Sequence, residues 1–226
     1  MRGNLANIGV VIPAYNAGRS ISKVIEGLID FGFKRENIIV IDDGSVDDTY
    51  RVSKDYGIEV RRHLRNRGKG AAQRTGFSLI IKKGLSYVLT LDADGQHRIE
   101  ELGRLLDSIE KSDIVIGNRM GNTKDMPLLN RISNLLTSLV VSLFIKRRIR
   151  DSQCGFRLIR TEVLKNISLK TSHYQTESEL LIKAGQKRYR ITEVPITTLY
   201  QNGISFIHPL LDTLRFIILV LRCFWK

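Results

Sequence analysis

Short apolar runs alternate with amphipathic segments along the first half of the chain. The pattern of buried or half-buried strands occurs at residues 8–12, 37–41, 58–62, 87–91 and 114–116. The segments between these runs carry apolar residues at helical spacing, at residues 20–31, 47–56, 69–83 and 99–111. Strands that alternate with helices predict an α/β fold, in which a mostly parallel open sheet carries helices on both faces.

The second half of the chain is more apolar and less regular. Residues 128–145 have helical spacing with an unusually wide apolar face, and a basic run follows at 146–150. The tail at 209–225 is also apolar, with interleaved basic residues. Packing in the core or contact with a membrane interface would each explain both segments. We expect both to be shorter than the ~20 apolar residues of a spanning helix. Between them, the pattern predicts shorter strands and helices at residues 156–159, 161–166, 175–184 and 189–194.

Acidic side chains follow two of the predicted strands. Asp42 and Asp43 come after one strand, and Asp92 and Asp94 come after another. Residues i and i+2 at a strand end point the same way, so the carboxylates of Asp92 and Asp94 can face one ligand. Two carboxylates suit Mg²⁺ or Mn²⁺ that also binds a diphosphate. Taken alone, the first pair would equally fit a helix N-cap with a tight turn, and the second a solvated loop.

A third polar loop, at residues 13–16, follows the first predicted strand. Ligands of open α/β sheets bind beyond the carboxyl ends of the strands. We therefore expect the three loops around one crevice, with Tyr15 against a base and Asp43 hydrogen-bonded to a base edge or a ribose. Metal-bound phosphates would then lie over Asp92 and Asp94.

The net charge of the 226-residue chain is +13, which implies a polyanionic partner such as nucleic acid, a phosphorylated ligand or an anionic membrane. A basic cluster at residues 61–74 contains no recognised nucleic-acid module, so we expect no nucleic-acid partner. We expect His63, within this cluster, to lie at the surface. The two cysteines are far apart, which excludes a disulfide framework and a zinc knuckle. The first apolar run is too short for a signal peptide, and Pro13 interrupts it, so we expect a cytoplasmic protein, peripheral at the cytoplasmic face of a membrane.

The motifs together resemble those of the family 2 glycosyltransferases with the GT-A fold. The resemblance rests on four segments in the order and at the spacing of that family, at residues 10–16, 41–49, 66–72 and 92–97. Three later segments are similar to the dolichyl-phosphate mannose or glucose synthase branch, at residues 117–119, 151–157 and 193–196. The resemblance implies a catalytic domain over residues 1–200, with an amphipathic acceptor- or membrane-facing segment at 127–150, and a membrane-associated tail at 201–226.

The resemblance also implies roles for individual residues. It implies that Asp94, Arg119 and Asp151 are catalytic. For the acceptor phosphate, it implies Arg119, Arg131 and Ser133. For the divalent metal, Mg²⁺ or Mn²⁺, it implies Asp92, Asp94 and Gln96. For the nucleotide-sugar, it implies the residues Pro13, Tyr15, Ile41, Asp43, Lys69, Asp92 and Ala93.

The implied reaction is an inverting transfer of a hexose from GDP-mannose or UDP-glucose to a polyprenyl or dolichyl phosphate. A phosphate monoester, with a second pKa of about 6, is already nucleophilic near neutral pH. A hydroxyl of a lipid-linked glycan or polysaccharide is the alternative acceptor, and it would need a general base. Glu177 and Glu179 are candidate bases, although a solvated helix turn explains them equally well. A nucleic-acid-binding protein and a silent nucleotide-sugar binder are the remaining alternatives.

Overall fold

A single mixed sheet organises the chain, whose computed structural model describes residues 5–121, 123, 126–198 and 209–224. In chain order the strands are β1 (Ile8–Ala14), β2 (Ile38–Asp42), β3 (Glu59–Arg62), β4 (Tyr87–Thr90), β5 (Ile114–Asn118), β6 (Arg157–Arg160) and β7 (Ile191–Pro195). Their order across the sheet is β3-β2-β1-β4-β6-β5-β7. All neighbours are parallel except β6, which is antiparallel to both β4 and β5. The predicted mostly parallel α/β sheet is therefore confirmed.

Helices connect the strands as the apolar spacing predicts. They are α1 (Ile21–Phe31), α2 (Thr49–Asp55), α3 (Lys69–Lys82), α4 (Leu102–Ile109), α5 (Leu128–Ile145), α6 (Thr161–Asn166), α7 (Gln175–Gln186) and α8 (Pro209–Phe224). The predicted helix at 47–56 begins only at Thr49, because the carboxylate of Asp47 accepts hydrogen bonds from the Thr49 amide and hydroxyl. The predicted helix at 99–111 begins with a 3₁₀ turn at Ile99–Glu101 and ends at Ile109.

The core lies on both faces of the sheet, and every residue of β1, β2 and β5 is buried. Two glycines bring α3 directly onto β1. A Cβ at Gly76 would lie 2.3 Å from the Val11 Cγ1 atom, and one at Gly9 would lie 2.2 Å from the Ile80 Cδ1 atom. This close packing places the first residue of α3, Lys69, over the carboxyl edge of the sheet.

Helix α5 has the inverse of the usual soluble pattern, with polar residues inward and apolar residues outward. Its buried residues are Asn134, Ser138 and Val141. Of the two alternatives left open by the sequence for this segment, packing of its apolar face in the core is therefore wrong. The exposed large apolar side chains of this helix are Leu128, Leu129, Ile132, Leu135, Leu136, Leu139 and Leu143. Its 18 residues have a mean hydropathy of 1.6, and 17% of these residues are buried. By length and composition alone, they suffice to cross a membrane, contrary to the expectation that the segment is too short.

Helix α8 also exposes apolar side chains in the part whose side chains are described, but its buried residue there is apolar. Leu219 is buried, and α8 packs against α7. Outward-facing apolar residues in the same stretch are Leu214, Ile217, Ile218 and Leu221. The predicted tail begins at residue 201, but residues 201–208 lie outside the described part of the chain.

Candidate active site

Three loops meet beyond the carboxyl ends of β2, β1 and β4, which are adjacent and parallel. The Asn16 amide donates to the Ser45 hydroxyl at 2.9 Å, and the Val46 amide donates to the Asn16 side chain at 3.0 Å. The Ser20 hydroxyl donates to the Ala93 carbonyl at 2.7 Å. Side chains of one loop satisfy backbone groups of the next, so the three motifs surround one crevice.

Lys69 lies between two carboxylates at this crevice. Its Nζ atom is 2.6 Å from Asp92 Oδ1 and 2.8 Å from Glu177 Oε1. Burial by itself would lower the pKa of Lys69, but the two carboxylates outweigh it and raise the pKa above its ordinary value. Burial likewise opposes the charge of Asp92, and Lys69 and His97 outweigh it and hold the pKa of that carboxyl well below its usual range. Both groups are therefore charged at neutral pH.

In the loop of Asp92, Ala93 and Asp94, the last residue faces solvent. Asp94 is exposed, and its Oδ1 atom accepts a hydrogen bond from the Gln96 amide at 2.9 Å. Partial desolvation, together with the neighbouring Asp92 carboxylate, raises the pKa of Asp94. Ala93 is buried between the two acids, and Gln96 is half-buried.

A divalent metal fits this loop. The raised pKa of Asp94 reflects in part the cost of a second carboxylate beside Asp92, and a divalent cation would relieve that cost. Within the described residues, no three His, Cys, Asp or Glu side chains converge to hold a metal by themselves. Mg²⁺ commonly binds through one or two carboxylates, several waters and substrate phosphates, which suits this donor set. Asp92, Asp94 and Gln96 would hold the ion.

His97 and Gly155 enclose the inner side of Asp92. The His97 Nε2 atom lies 3.5 Å from Asp92 Oδ2, and the imidazole stacks on Phe156 with ring centroids 5.2 Å apart. A Cβ at Gly155 would lie 2.5 Å from Asp92 Oδ1, so any larger residue here would displace this carboxylate. The position of Gly155, which follows from the antiparallel course of β6, could not be predicted from local sequence.

Asp43, a predicted nucleotide ligand, is buried and organises its own loop. Its Oδ2 atom accepts from the Gly68 amide at 2.7 Å, and both carboxylate oxygens accept from the Arg67 amide at 3.1 Å. The His63 Nδ1 atom lies 2.6 Å from Asp43 Oδ1, and Nε2 lies 3.0 Å from the Thr75 hydroxyl. The expectation that His63 is a surface residue is therefore wrong, because its imidazole connects Asp43 to α3.

Two of the other predicted nucleotide ligands are buried within the sheet, and the third lies just beyond it. Pro13 and Ile41 are buried partners in the register of β1 and β2. Tyr15 follows β1 and is half-buried. Of these three residues, Tyr15 has the accessible side chain, and an aromatic ring is suited to a nucleobase. Pro13 and Ile41 could therefore support the nucleotide site only from within the sheet, and the role of all three residues stays a prediction.

Arg119 follows β5 and makes a bidentate pair with Asp151. Its Nε atom is 2.7 Å from Asp151 Oδ2, and its Nη2 atom is 2.9 Å from Asp151 Oδ1. Asp151 is fully buried, and it also accepts from Asn134 of α5 at 2.9 Å. Burial opposes its charge, but Arg119 and these hydrogen bonds hold the pKa of Asp151 below its ordinary value. In this arrangement Asp151 orients Arg119, and its predicted catalytic role stays a prediction.

The two predicted acceptor-phosphate residues of α5 are accessible. Arg131 and Ser133 are both exposed near the start of the helix. The Ser133 hydroxyl accepts a hydrogen bond from the side-chain amide of Gln153 at 3.3 Å. This bond connects the first turns of α5 to the loop that carries Asp151. Ser133 is therefore close to the loop of the Arg119 pair, and the role of both residues stays a prediction.

Neither candidate base lies on a solvated helix turn, because Glu177 and Glu179 are both buried. Glu177 is the ion-pair partner of Lys69. Glu179 pairs with Lys183 at 2.5 Å and accepts from the Thr171 amide at 2.9 Å. Lys183 and Thr171 outweigh the effect of burial and lower the pKa of Glu179. Both glutamates thus hold neighbouring parts of the fold in place.

Two supporting residues escaped the sequence analysis. Asn134 is a polar residue inside an otherwise apolar helix, with Ser138 one turn later, and that spacing was the available signal. Arg157 is fully buried and donates to the carbonyl oxygens of Ser152, Cys154 and Glu177 at 2.7, 2.7 and 2.9 Å. Arg157 thereby joins the loop of Asp151 to α7. No local sequence pattern indicates that this arginine is buried or which carbonyl groups it contacts.

Comparison with known proteins identifies the family of the chain. The model of the family described as Glycosyl transferase family 2 matches residues 9–168. The chain belongs to glycosyl transferase family 2. Within this family, it is 33% identical over 217 residues to UDP-N-acetylglucosamine–dolichyl-phosphate N-acetylglucosaminyltransferase of Methanococcus voltae, covering 85% of this chain and 86% of that protein. It is 30% identical over 210 residues to polyprenol monophosphomannose synthase of Mycolicibacterium smegmatis, covering 87% and 79%.

Solved structures share the fold of this family 2 chain. Glucosyl-3-phosphoglycerate synthase of Mycobacterium tuberculosis, in complex with UDP, aligns with a TM-score of 0.75 and 21% identity over 99% of this chain and 84% of that one. The same protein with Mn²⁺, UDP and phosphoglyceric acid aligns with a TM-score of 0.73 and 22% identity over 96% and 78%. At this identity, the likeness supports the fold alone.

Proposed function

We propose that this glycosyltransferase transfers a hexose from GDP-mannose or UDP-glucose to a polyprenyl or dolichyl phosphate, with inversion at the anomeric carbon. The observation that carries the proposal is the connection between Arg119 and α5. Asp151 bonds to the guanidinium of Arg119 and to Asn134, on the buried side of a helix whose opposite side exposes a row of leucines. An anionic head group at Arg119 would therefore be bound beside a helix that also offers an apolar surface to a lipid tail.

The names of the relatives support a lipid-phosphate acceptor. One relative is named for transfer to dolichyl phosphate, and another as a polyprenol monophosphomannose synthase. The first is named for an N-acetylglucosamine donor and the second for mannose. Because the two names differ in the sugar, the sugar of this chain has to be identified by experiment.

The proposed chemistry is a single displacement at the sugar. An oxygen of the acceptor phosphate forms a bond to the anomeric carbon as the bond from that carbon to the nucleoside diphosphate breaks, and the electron pair leaves with the diphosphate. Arg119 would bind and orient the anionic acceptor, and Tyr15 would contact the base, supported by Pro13 and Ile41 of the adjoining strands. A bound Mg²⁺ or Mn²⁺ would supply Lewis-acid stabilisation of the departing diphosphate. The acceptor dianion has no proton to lose, which agrees with the engagement of Glu177 and Glu179 in ion pairs.

We further propose that the protein is peripheral at the cytoplasmic face of a membrane. The exposed leucines of α5 are followed by the exposed basic residues Lys146, Arg147 and Arg148. Apolar side chains next to cations suit the boundary between acyl chains and anionic head groups. The buried contacts of Asn134 and Ser138 keep the other side of α5 on the fold. The helix would therefore lie along the interface.

The test is transfer of label into a lipid-soluble product. Purified protein would be incubated with Mn²⁺, dolichyl phosphate and labelled GDP-mannose, UDP-glucose or UDP-N-acetylglucosamine in turn, followed by organic extraction. We expect extractable label from one donor, lost in Asp94→Ala and retained in Asp107→Ala, a matched control at an exposed aspartate of α4. If no donor gives extractable label although the protein binds nucleotide, the lipid-phosphate acceptor is wrong. Label recovered on a hydroxyl acceptor instead would support the alternative.

A further inference from the structure

The ammonium group of Lys69 occupies the place beside Asp92 where a cation would bind. It contacts Asp92 Oδ1 at 2.6 Å, and its side chain is only 16% exposed. The second oxygen of Asp92 faces His97 Nε2 at 3.5 Å. The backbone at Gly155 closes the inner side, since even a Cβ there would lie 2.5 Å from Oδ1. The carboxylate therefore already has a counter-ion within the protein.

Asp94, the second acid of the loop, is in a different position. It is exposed, and its Oδ1 atom accepts a hydrogen bond from the backbone amide of Gln96. A divalent ion bound by both acids must approach Asp92 to about 2.0–2.1 Å, the Mg²⁺–oxygen distance. An ammonium at 2.6 Å from the same carboxylate would then lie close to the metal, and the two cations would repel each other strongly in this half-buried crevice. The metal and the lysine compete for Asp92.

We propose that Lys69 is an internal counter-ion that excludes the metal from Asp92 until a nucleoside diphosphate draws the ammonium away. The inference rests on the proposed metal site at Asp92 and Asp94, and it concerns the order in which the ligands are held. The metal binds weakly alone and tightly together with the diphosphate. Because binding free energies are reciprocal, the diphosphate also binds more tightly when the metal is present.

Glu177 is the positioning residue that makes this exchange feasible. It is 4% exposed and lies 2.8 Å from Lys69 Nζ. The Nζ atom also lies 5.7 Å from the centre of the Tyr174 ring. When Lys69 leaves Asp92, Glu177 and Tyr174 still partner the ammonium, and the diphosphate replaces the lost carboxylate. Without Glu177, displacement of Lys69 would leave the ammonium without its buried counter-ion, which is costly.

The test is the affinity for Mn²⁺, measured by electron paramagnetic resonance of free Mn²⁺ with and without saturating UDP or GDP. In the wild type, we expect nucleotide to tighten Mn²⁺ binding at least about 10-fold, equivalent to about 1.4 kcal/mol. Lys69→Met should tighten nucleotide-free Mn²⁺ binding by about 10-fold and reduce the effect of nucleotide. Glu177→Gln should weaken nucleotide-free Mn²⁺ binding. These opposite directions distinguish competition from simple damage to the site, which would weaken binding in both variants.

Lys183→Met is the matched control, because Lys183 forms the other lysine–glutamate pair of α7, at 2.5 Å from Glu179. It removes the same charge without contact to Asp92, and it should leave Mn²⁺ affinity unchanged. The gain in Lys69→Met should persist at about 0.5 M salt, where long-range charge effects are screened. Thermal unfolding would verify that each variant folds.

Unchanged or weaker nucleotide-free Mn²⁺ binding in a folded Lys69→Met variant would overturn the inference while leaving the proposed transferase reaction intact. If the wild type bound no Mn²⁺ even with nucleotide, the metal site itself would be contradicted. Both the inference about Lys69 and the proposed transferase reaction depend on that site. The readout is metal binding, so it does not require knowledge of the sugar or the acceptor.

Discussion

The guanidinium of Arg119 is held in two parallel hydrogen bonds by the buried carboxylate of Asp151. This geometry uses the planar fork of arginine, which lysine cannot reproduce. Asn134 and the Arg119 amide occupy the remaining lone pairs of Asp151, so its carboxylate acts as a fixed support. At the scale of single residues, the site depends on such oriented charges.

Replacement of Arg119 by Lys should therefore impair transfer although it keeps the charge. We expect kcat/KM for the lipid phosphate to fall roughly 10- to 100-fold, the cost of losing hydrogen bonds between charged groups. Steady-state kinetics with extracted product would measure it. Arg104→Lys, at a surface pair with Glu101, is the control and should be close to wild type. Equal activity of both variants would show that Arg119 does not bind the acceptor.

The pair also predicts a pH dependence of stability. Because the pKa of Asp151 is held below its ordinary value, its contribution is present above about pH 4 and is lost as the pH falls towards the lowered pKa. Asp151→Asn should lower the free energy of unfolding by about 3 kcal/mol at neutral pH. The difference between wild type and variant should shrink on acidification, as measured by urea unfolding at several pH values. Parallel curves would contradict this assignment.

At the scale of elements, the contact of α3 with β1 sets the position of Lys69. A Cβ at Gly76 would lie 2.3 Å from Val11 Cγ1, whereas one at Gly103 of α4 would meet nothing within 4 Å. Gly76→Ala should destabilise the protein by about 1–3 kcal/mol through overpacking. Gly103→Ala should be neutral or stabilising by up to about 1 kcal/mol, because alanine favours helix. Chemical denaturation would compare them, and similar values for both would refute the close contact.

Helix α5 packs through polar residues, which leaves its leucines available for an interface. Leu139→Glu with Leu143→Glu should reduce binding to anionic vesicles at least about 10-fold with little change in thermal stability, because both side chains are exposed. Leu64→Glu is the control, since Leu64 is exposed on a loop after β3. Vesicle sedimentation would measure binding. A large drop in melting temperature would instead indicate that the leucines are packed.

At the scale of the whole molecule, the net charge of +13 adds a long-range attraction to anionic membranes. The basic residues at the end of α5 should concentrate that attraction, at about 1 kcal/mol for each cation near the surface. Replacement of Lys146, Arg147 and Arg148 by Gln should weaken binding to anionic vesicles at least about 10-fold and leave weak binding to neutral vesicles unchanged. Vesicle titrations at two salt concentrations would test it, and a variant insensitive to lipid charge would contradict it.

Much of this arrangement followed from local sequence. The apolar runs predicted all five strands of the first half, and the acidic strand ends predicted where the loops meet, because the carboxyl ends of parallel strands share one edge. The motifs also predicted the family, which the comparisons confirm. Strand periodicity and turn chemistry act over a few residues, so they can be recognised without knowledge of the fold.

Other features were decided only by tertiary structure. The insertion of β6 antiparallel between β4 and β5 brings Gly155 to Asp92, and the first turn of α7 brings Glu177 to Lys69, more than a hundred residues away. The burial of Asn134 rather than the leucines of α5 likewise depends on a distant carboxylate, Asp151. The sequence by itself determined which chemical groups stand at the strand ends. Which of them pair, and which face outward, was decided by packing between distant segments, because desolvation and ion pairing depend on neighbours in space.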